Sequence, residues 1–269
     1  MLPINSTHRG SLCRDSSRLT PPNQVGYQNK GFGNSGYNIS AISFETVGKA
    51  RDAITLGDLK PSEDFSNSFI TFMTAGGANA KVEFNGKQVA AKYYYVTEAD
   101  ASDGAGWYLL ADEDYEYNQN NVLLPFGDGF LVNRAGGEAN ATITFSGSVS
   151  TTPVTKSFDR AGYNVTGNCT PTKITLGDIT PSEDFSNSFI TFMTAGGANA
   201  KVEFNGKQVA AKYYYVTETD ASDGAGWYLQ ADEDYEYNQN AVEIGAGEGF
   251  LVNRAAGEPN AFITLPAAL

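Results

Sequence analysis

Short runs of alternating polar and apolar residues, broken by Gly, Asp and Asn, dominate this chain from about residue 24 onward. Alternation with a period of two places one apolar face on a half-buried strand. Ser68–Thr74 (SFITFMT) has this pattern, and Lys81–Phe84 meets Gln88–Val96 across Asn85-Gly86. Asn-Gly between alternating runs predicts a tight hairpin, because both residues tolerate positive φ. Further strands are predicted at Gly106–Leu110, Asn121–Leu124, Gly129–Asn133 and Ala141–Phe145. Helical periodicity extends no further than one short turn at Leu56–Leu59 (LGDL). Many short strands at close spacing predict an all-β sandwich or barrel.

The pattern then repeats. Every residue from Pro61 through Glu98 recurs at an offset of 120, and the wider match pairs Ile54–Thr144 with Ile174–Thr264. A repeat of this kind decides the architecture before any other feature. We therefore expect two tandem, near-identical β-sandwich or barrel-like modules, residues 24–149 and 150–269, behind an extended N-terminal arm, residues 1–23. Each module opens with a further strand pair: Gln24–Phe32 and Gly36–Phe44 in the first, Pro153–Phe158 and Gly162–Thr166 in the second. The joint Ser148–Pro153 is short and ends in proline, which predicts a semi-rigid rod. Divergence is concentrated at Leu123–Phe126 (LLPF) against Glu243–Ala246 (EIGA), and in the stretches that follow Gly36-Tyr37-Asn38 and Gly162-Tyr163-Asn164. Those are the places where the copies have different neighbours or different tasks.

The order G-Y-N-[IV], then ITLGD, then the Trp of AGWY, then G-[DE]-G-F-L-V (Gly127–Val132 and Gly247–Val252), then a closing T-[IF] strand resembles a repeated β-module of secreted and cell-surface bacterial proteins. The resemblance covers nearly everything after Gln24. It implies an extracellular or surface location and carries over no catalytic residue. The glycines Gly127, Gly129, Gly247 and Gly249 are expected to form a tight turn before a buried strand.

Composition narrows the function classes. With 18 basic and 31 acidic residues the formal net charge is −13. That charge repels nucleic-acid phosphates and anionic membrane surfaces, so no nucleic-acid partner is expected. No stretch approaches the roughly 18 apolar residues of a membrane helix, so no membrane insertion is expected. Residues 1–23 are polar, carry three arginines and lack the apolar run of a secretory signal. No signal peptide is visible in this sequence. The single histidine, His8, lies in the arm, so no Ser-His-Asp or Cys-His set can form inside a module. Carboxylate pairs such as Glu63/Asp64 with Asp58, or Asp112-Glu113-Asp114 with Glu116, are the remaining route to hydrolysis. Adjacent acids on a strand point to opposite faces, so we expect no enzyme.

Three sets of side chains invite a ligand or a bond. Glu98, Asp100 and Asp103, repeated at Glu218, Asp220 and Asp223, form an oxygen-rich loop with the carbonyls around Gly104, a candidate calcium site. Exposed tyrosines are candidate stacking surfaces for sugar rings: Tyr94, Tyr115 and Tyr117, with Tyr214, Tyr235 and Tyr237. Cys13 in the arm and Cys169 in the second module are unrepeated and form a candidate disulfide within or between chains. Identical modules in series also offer identical surfaces. A contact between them could be copied from chain to chain, head to tail, with the arm, about 60 Å long when extended, reaching a neighbour. The sequence-level expectation is thus a structural subunit of an extracellular bacterial fibre, sheath or surface layer that polymerises with itself. The alternative is a carbohydrate-binding surface adhesin.

Overall fold

The computed structural model describes residues 25–33, 35–45, 54–62, 67–74, 76–136, 141–182, 187–194, 197–257 and 261–268. The protein is all-β and built twice over. In the first half a five-stranded antiparallel sheet has the spatial order Gly36–Ala41, Gly129–Arg134, Phe69–Thr71, Lys92–Val96, Gly106–Leu109. A three-stranded sheet sets Ala141–Ser148 between Val25–Phe32 and Lys60–Pro61. The pair Ile54–Thr55 with Leu123–Leu124 and the hairpin Lys81–Phe84 with Lys87–Ala90 complete it. The second half repeats this arrangement, its large sheet running Gly162–Gly167, Gly249–Arg254, Phe189–Thr191, Lys212–Val216, Gly226–Leu229.

Local chemistry accounts for the repeated motifs. Asn85 and Gly86 both take positive φ, 49° and 73°, as the hairpin requires. Asp58 folds back so that its carboxylate accepts from both the Thr55 amide and the Thr55 hydroxyl at 2.8 Å, which closes the single 3-10 turn Leu56–Asp58. Asn38 and Asn164 are buried and donate to the carbonyls of Gly36 and Gly162, so the G-Y-N motif is a self-bonded strand start. The predicted strand Gln88–Val96 divides at Ala91, where the chain leaves its hairpin partner: the Ala91 amide donates to the Ala80 carbonyl, and the next residues join the large sheet. Trp107 and Trp227 are fully buried and donate from Nε1 to the carbonyls of Leu59 and Ile179.

The two halves do not form a rod. They lie side by side about a pseudo-two-fold axis, and the buried apolar side chains of both belong to one continuous cluster. The central contacts occur twice with the partners exchanged. Ser40 bridges Glu248, and Thr166 bridges Asp128. The Ser40 hydroxyl donates to the Gly247 carbonyl, and the Thr166 hydroxyl to that of Gly127. The second glycine of G-[DE]-G-F-L-V serves this contact: a Cβ on Gly129 would meet Val165 Cγ1 at 2.4 Å, and one on Gly249 would meet Ile39 Cγ2 at 2.1 Å. The first glycine does make the predicted turn, with φ of 81° at Gly127 and 59° at Gly247.

An isologous contact of this kind closes on itself. Both modules spend the same patch on each other, so the contact between halves is not one that a neighbouring chain can continue head to tail. The divergent segments also find their reason here. At one crossing Gly127 lies against Lys156, Cys169 and Val154; at the other Gly247 lies against Ser43 and Gln28. The first crossing is mainly apolar, with Phe126 buried. The second is polar, with Gln28 donating to the Ala246 carbonyl and accepting from Ser43.

Candidate functional site

A polar concavity grows from the loop that follows the Gly106–Leu109 strand. Asp112 is buried, and its carboxylate accepts from the amides of Glu116 (3.3 Å) and Tyr117 (2.9 Å). That pair of bonds curls residues 112–117 tightly enough to force Tyr115 to a φ of 49°. An L-residue in the left-handed region costs about 1 kcal/mol, and glycine or asparagine would occupy it more easily. The second copy repeats the arrangement, with Asp232 holding Tyr237 at 2.9 Å and Tyr235 at φ 50°. A tyrosine kept twice at an unfavourable backbone position marks a site worth testing.

Tyr115 packs edge-on against Tyr108, ring centroids 5.7 Å apart. On the neighbouring strand Tyr94 rests on Phe69 at 5.4 Å, and Phe69 in turn carries the Lys92 ammonium over its ring. Together Asn67, Tyr94, Leu110, Glu113 and Tyr115 line a shallow groove of about 400 Å³. The Tyr94 hydroxyl ionises above its ordinary value, first because of burial and then because Tyr115 and Tyr37 stand close enough to oppose its charge. Tyr214 behaves in the same way beside Tyr235 and Tyr163. The copies differ at one lining position, Leu110 in the first and Gln230 in the second.

Of the predicted stacking residues, Tyr94 and Tyr115 come together in the groove, and Tyr214 and Tyr235 stand close to each other in the second half. Tyr117 and Tyr237 do not join them: each is 55% exposed and packs edge-on against Phe84 or Phe204. Sequence reasoning missed Tyr37, Asn67 and Leu110. Tyr37 was visible only as part of the G-Y-N motif, and the other two carried no signal.

The aspartates of the candidate calcium loops already have partners within the chain. Asp100 accepts from the Thr97 hydroxyl, Asp103 accepts from the Asn118 amide side chain, and the Gly104 carbonyl accepts from the Tyr108 hydroxyl. Asp220 and Asp223 are engaged identically with Thr217 and Asn238. These oxygens are spent on turns, and no three acidic, His or Cys side chains converge on a metal position among the described residues, Glu98 and Glu218 included.

Cys169 is a free thiol, 1% exposed, which donates to the Gly167 carbonyl. Burial, against an opposing pull from Lys156, pushes its pKa up to about 12. Cys13 lies outside the described residues. Among the acids considered for hydrolysis, Asp58 is the turn cap already described, Asp112 is the loop anchor, and Glu63 and Asp64 fall outside the described residues.

Comparison with protein-family models, with curated proteins and with solved structures returned no match.

Proposed function

We propose that this chain is a carbohydrate-binding protein of the bacterial cell surface, a binder and not an enzyme, with one tyrosine groove on each half. The observation that supports this most directly is the pair Tyr94 and Tyr115, presented beside Asn67 and Glu113 with Tyr115 held at positive φ. Sugar rings offer apolar C–H faces to aromatic rings and hydroxyls to amides and carboxylates, which is the chemistry collected here. Glu113 and a net charge of −13 favour neutral glycans over anionic ones. Two equivalent grooves on one rigid pair would raise the avidity for a repeating polymer without further contacts.

The test is a glycan array probed with the labelled full-length chain, followed by calorimetry on any ligand found. Binding to neutral glycans, reduced at least tenfold by Tyr115→Ala together with Tyr235→Ala, supports the reading. A chain that binds no glycan, or a double variant that binds as well as the parent, overturns it.

A second reading, a subunit of an extracellular fibre, sheath or surface layer, is favoured by strand Val25–Phe32. It stands at the edge of its sheet with Val25 62% and Tyr27 75% exposed, and an edge of that kind can accept another chain's strand. Negative-stain images of native material would show filaments if this reading holds and discrete particles if it does not.

A further inference from the structure

A second cavity, also about 400 Å³, lies where the first half meets the second. Its floor is apolar: Ile42, Tyr93, Leu124, Phe130 and Phe158 are all buried, and Val82 of the hairpin forms one wall. The charged and amide side chains at its edge are already occupied. Lys156 is ion-paired with Asp128, and the buried Asn164 side chain donates to the carbonyls of Gly162 and Arg160. A charged guest would have to break that ion pair, so the cavity favours an uncharged one.

The Tyr93 hydroxyl has no such occupation. Tyr93 is 2% exposed and lines the cavity, yet its hydroxyl bonds to none of the described residues. Burial raises its pKa with no partner contributing. The hydroxyl opens onto the cavity and can exchange solvent there for an acceptor on a guest, worth about 0.5–1.5 kcal/mol net. The volume is that of an ordinary small-molecule pocket and far exceeds what a packing defect leaves.

We infer that this cavity binds one small, uncharged, largely apolar molecule carrying a single acceptor oxygen, its body among Ile42, Leu124, Phe130 and Phe158 and its oxygen on the Tyr93 hydroxyl. The inference does not rest on the glycan reading and concerns a different part of the surface. It also gives the divergence between the copies a use. Leu123, Pro125 and Ile42 line the cavity, whereas their counterparts are Glu243, Gly245 and Asn168. The Asn168 amide is bonded to the carbonyls of Thr172, Ile244 and Gly245, which makes that region polar. One site per chain follows, despite the duplication.

Two isosteric probes test it: 2-acetylnaphthalene, which carries a ketone, and 2-ethylnaphthalene, which does not. Equilibrium dialysis against the full chain should show one saturable site, with the ketone bound about fivefold more tightly, as one neutral hydrogen bond provides. Tyr93→Phe should abolish that preference, while Tyr213→Phe leaves it intact. Val82→Phe should weaken both probes at least tenfold by filling the space, and Val202→Phe, the same change in the same local sequence of the other half, should leave both unchanged. Should Val82→Phe fail to fold, the ketone preference and its loss in Tyr93→Phe still decide. No saturable binding, two sites per chain, or equal effects of the paired variants overturns the inference.

Discussion

Gly167 offers a sharp test of how the two halves meet. A Cβ placed there would stand 2.4 Å from the Glu248 carbonyl oxygen, 2.6 Å from Gly249 Cα and 2.7 Å from Ala41 Cβ. Ala41 is its pseudo-symmetric counterpart, so the axis passes where two methyl groups cannot coexist, and the near-identical copies must differ. Carbon contacts settle near 3.5–4.0 Å, so each of these separations would have to open by about 1 Å. None of the three atoms can rotate away. Parting the strands that far stretches the bonds from Ala41 N to Gly247 O (3.1 Å) and from Asn168 N to Glu248 O (2.9 Å). Overpacking of about 1–3 kcal/mol with about 1 kcal/mol for each weakened bond gives about 3–5 kcal/mol for Gly167→Ala. At about 2–4 °C per kcal/mol for a unit of this size, calorimetry should record a Tm lower by roughly 10 °C, with the single transition broadened or split as the halves uncouple. Gly31→Ala is the control, since a Cβ there meets nothing within 4 Å, and it should shift Tm by less than about 2 °C. Adding Ala41→Gly to Gly167→Ala should recover only a minor part, because the two backbone contacts remain. A Gly167→Ala chain melting within 2 °C of the parent would refute the close crossing of the halves.

Other consequences are open to simpler measurement. In a Cys13→Ser background the Cys169 thiol should resist Ellman's reagent until denaturant is added, because it is 1% exposed. Its pKa is raised from 9.0 to about 12, so the unfolded chain loses this proton first as pH rises. Its contribution is intact below pH 9, falls between pH 9 and 12 and is constant above that. By pH 11 the parent should have lost about 2–3 kcal/mol more than Cys169→Ala, by denaturant titration. Trp107→Phe and Trp227→Phe each leave a buried carbonyl, of Leu59 or Ile179, without its donor, and should destabilise by about 2–4 kcal/mol and by similar amounts, the parent emission being blue-shifted. Asp112→Ala and Asp232→Ala each free two backbone amides, should cost about 1–3 kcal/mol apiece, and should weaken glycan binding at the affected groove by releasing Tyr115 or Tyr235.

By itself the sequence determined that the protein is all-β, where its strands lie, that Asn85-Gly86 turns a hairpin, that Leu56–Asp58 is a single turn, and that one unit is built twice. All of these depend on interactions within a few residues or on identity between copies, and both are written in the order of the letters. It also marked Leu123–Phe126 and the segment around Cys169 as divergent, without a reason. That reason belongs to the tertiary structure, because Gly127, next to Phe126, meets Cys169 only across the pseudo-two-fold axis. The axis decided side-by-side packing over a rod, made Gly129, Gly249 and Gly167 obligatory through contacts about 40 to 210 residues away in the chain, and closed the contact that repetition alone made available for a fibre. The grooves were legible in half: tyrosines announce themselves, but which of them converge depends on a buried aspartate curling one loop, and Tyr94 joins Tyr115 while Tyr117 turns away. Acidic loops read as ligands for the opposite reason, since composition shows carboxylates but not the neighbouring hydroxyls, amides and backbone N–H groups that already occupy them.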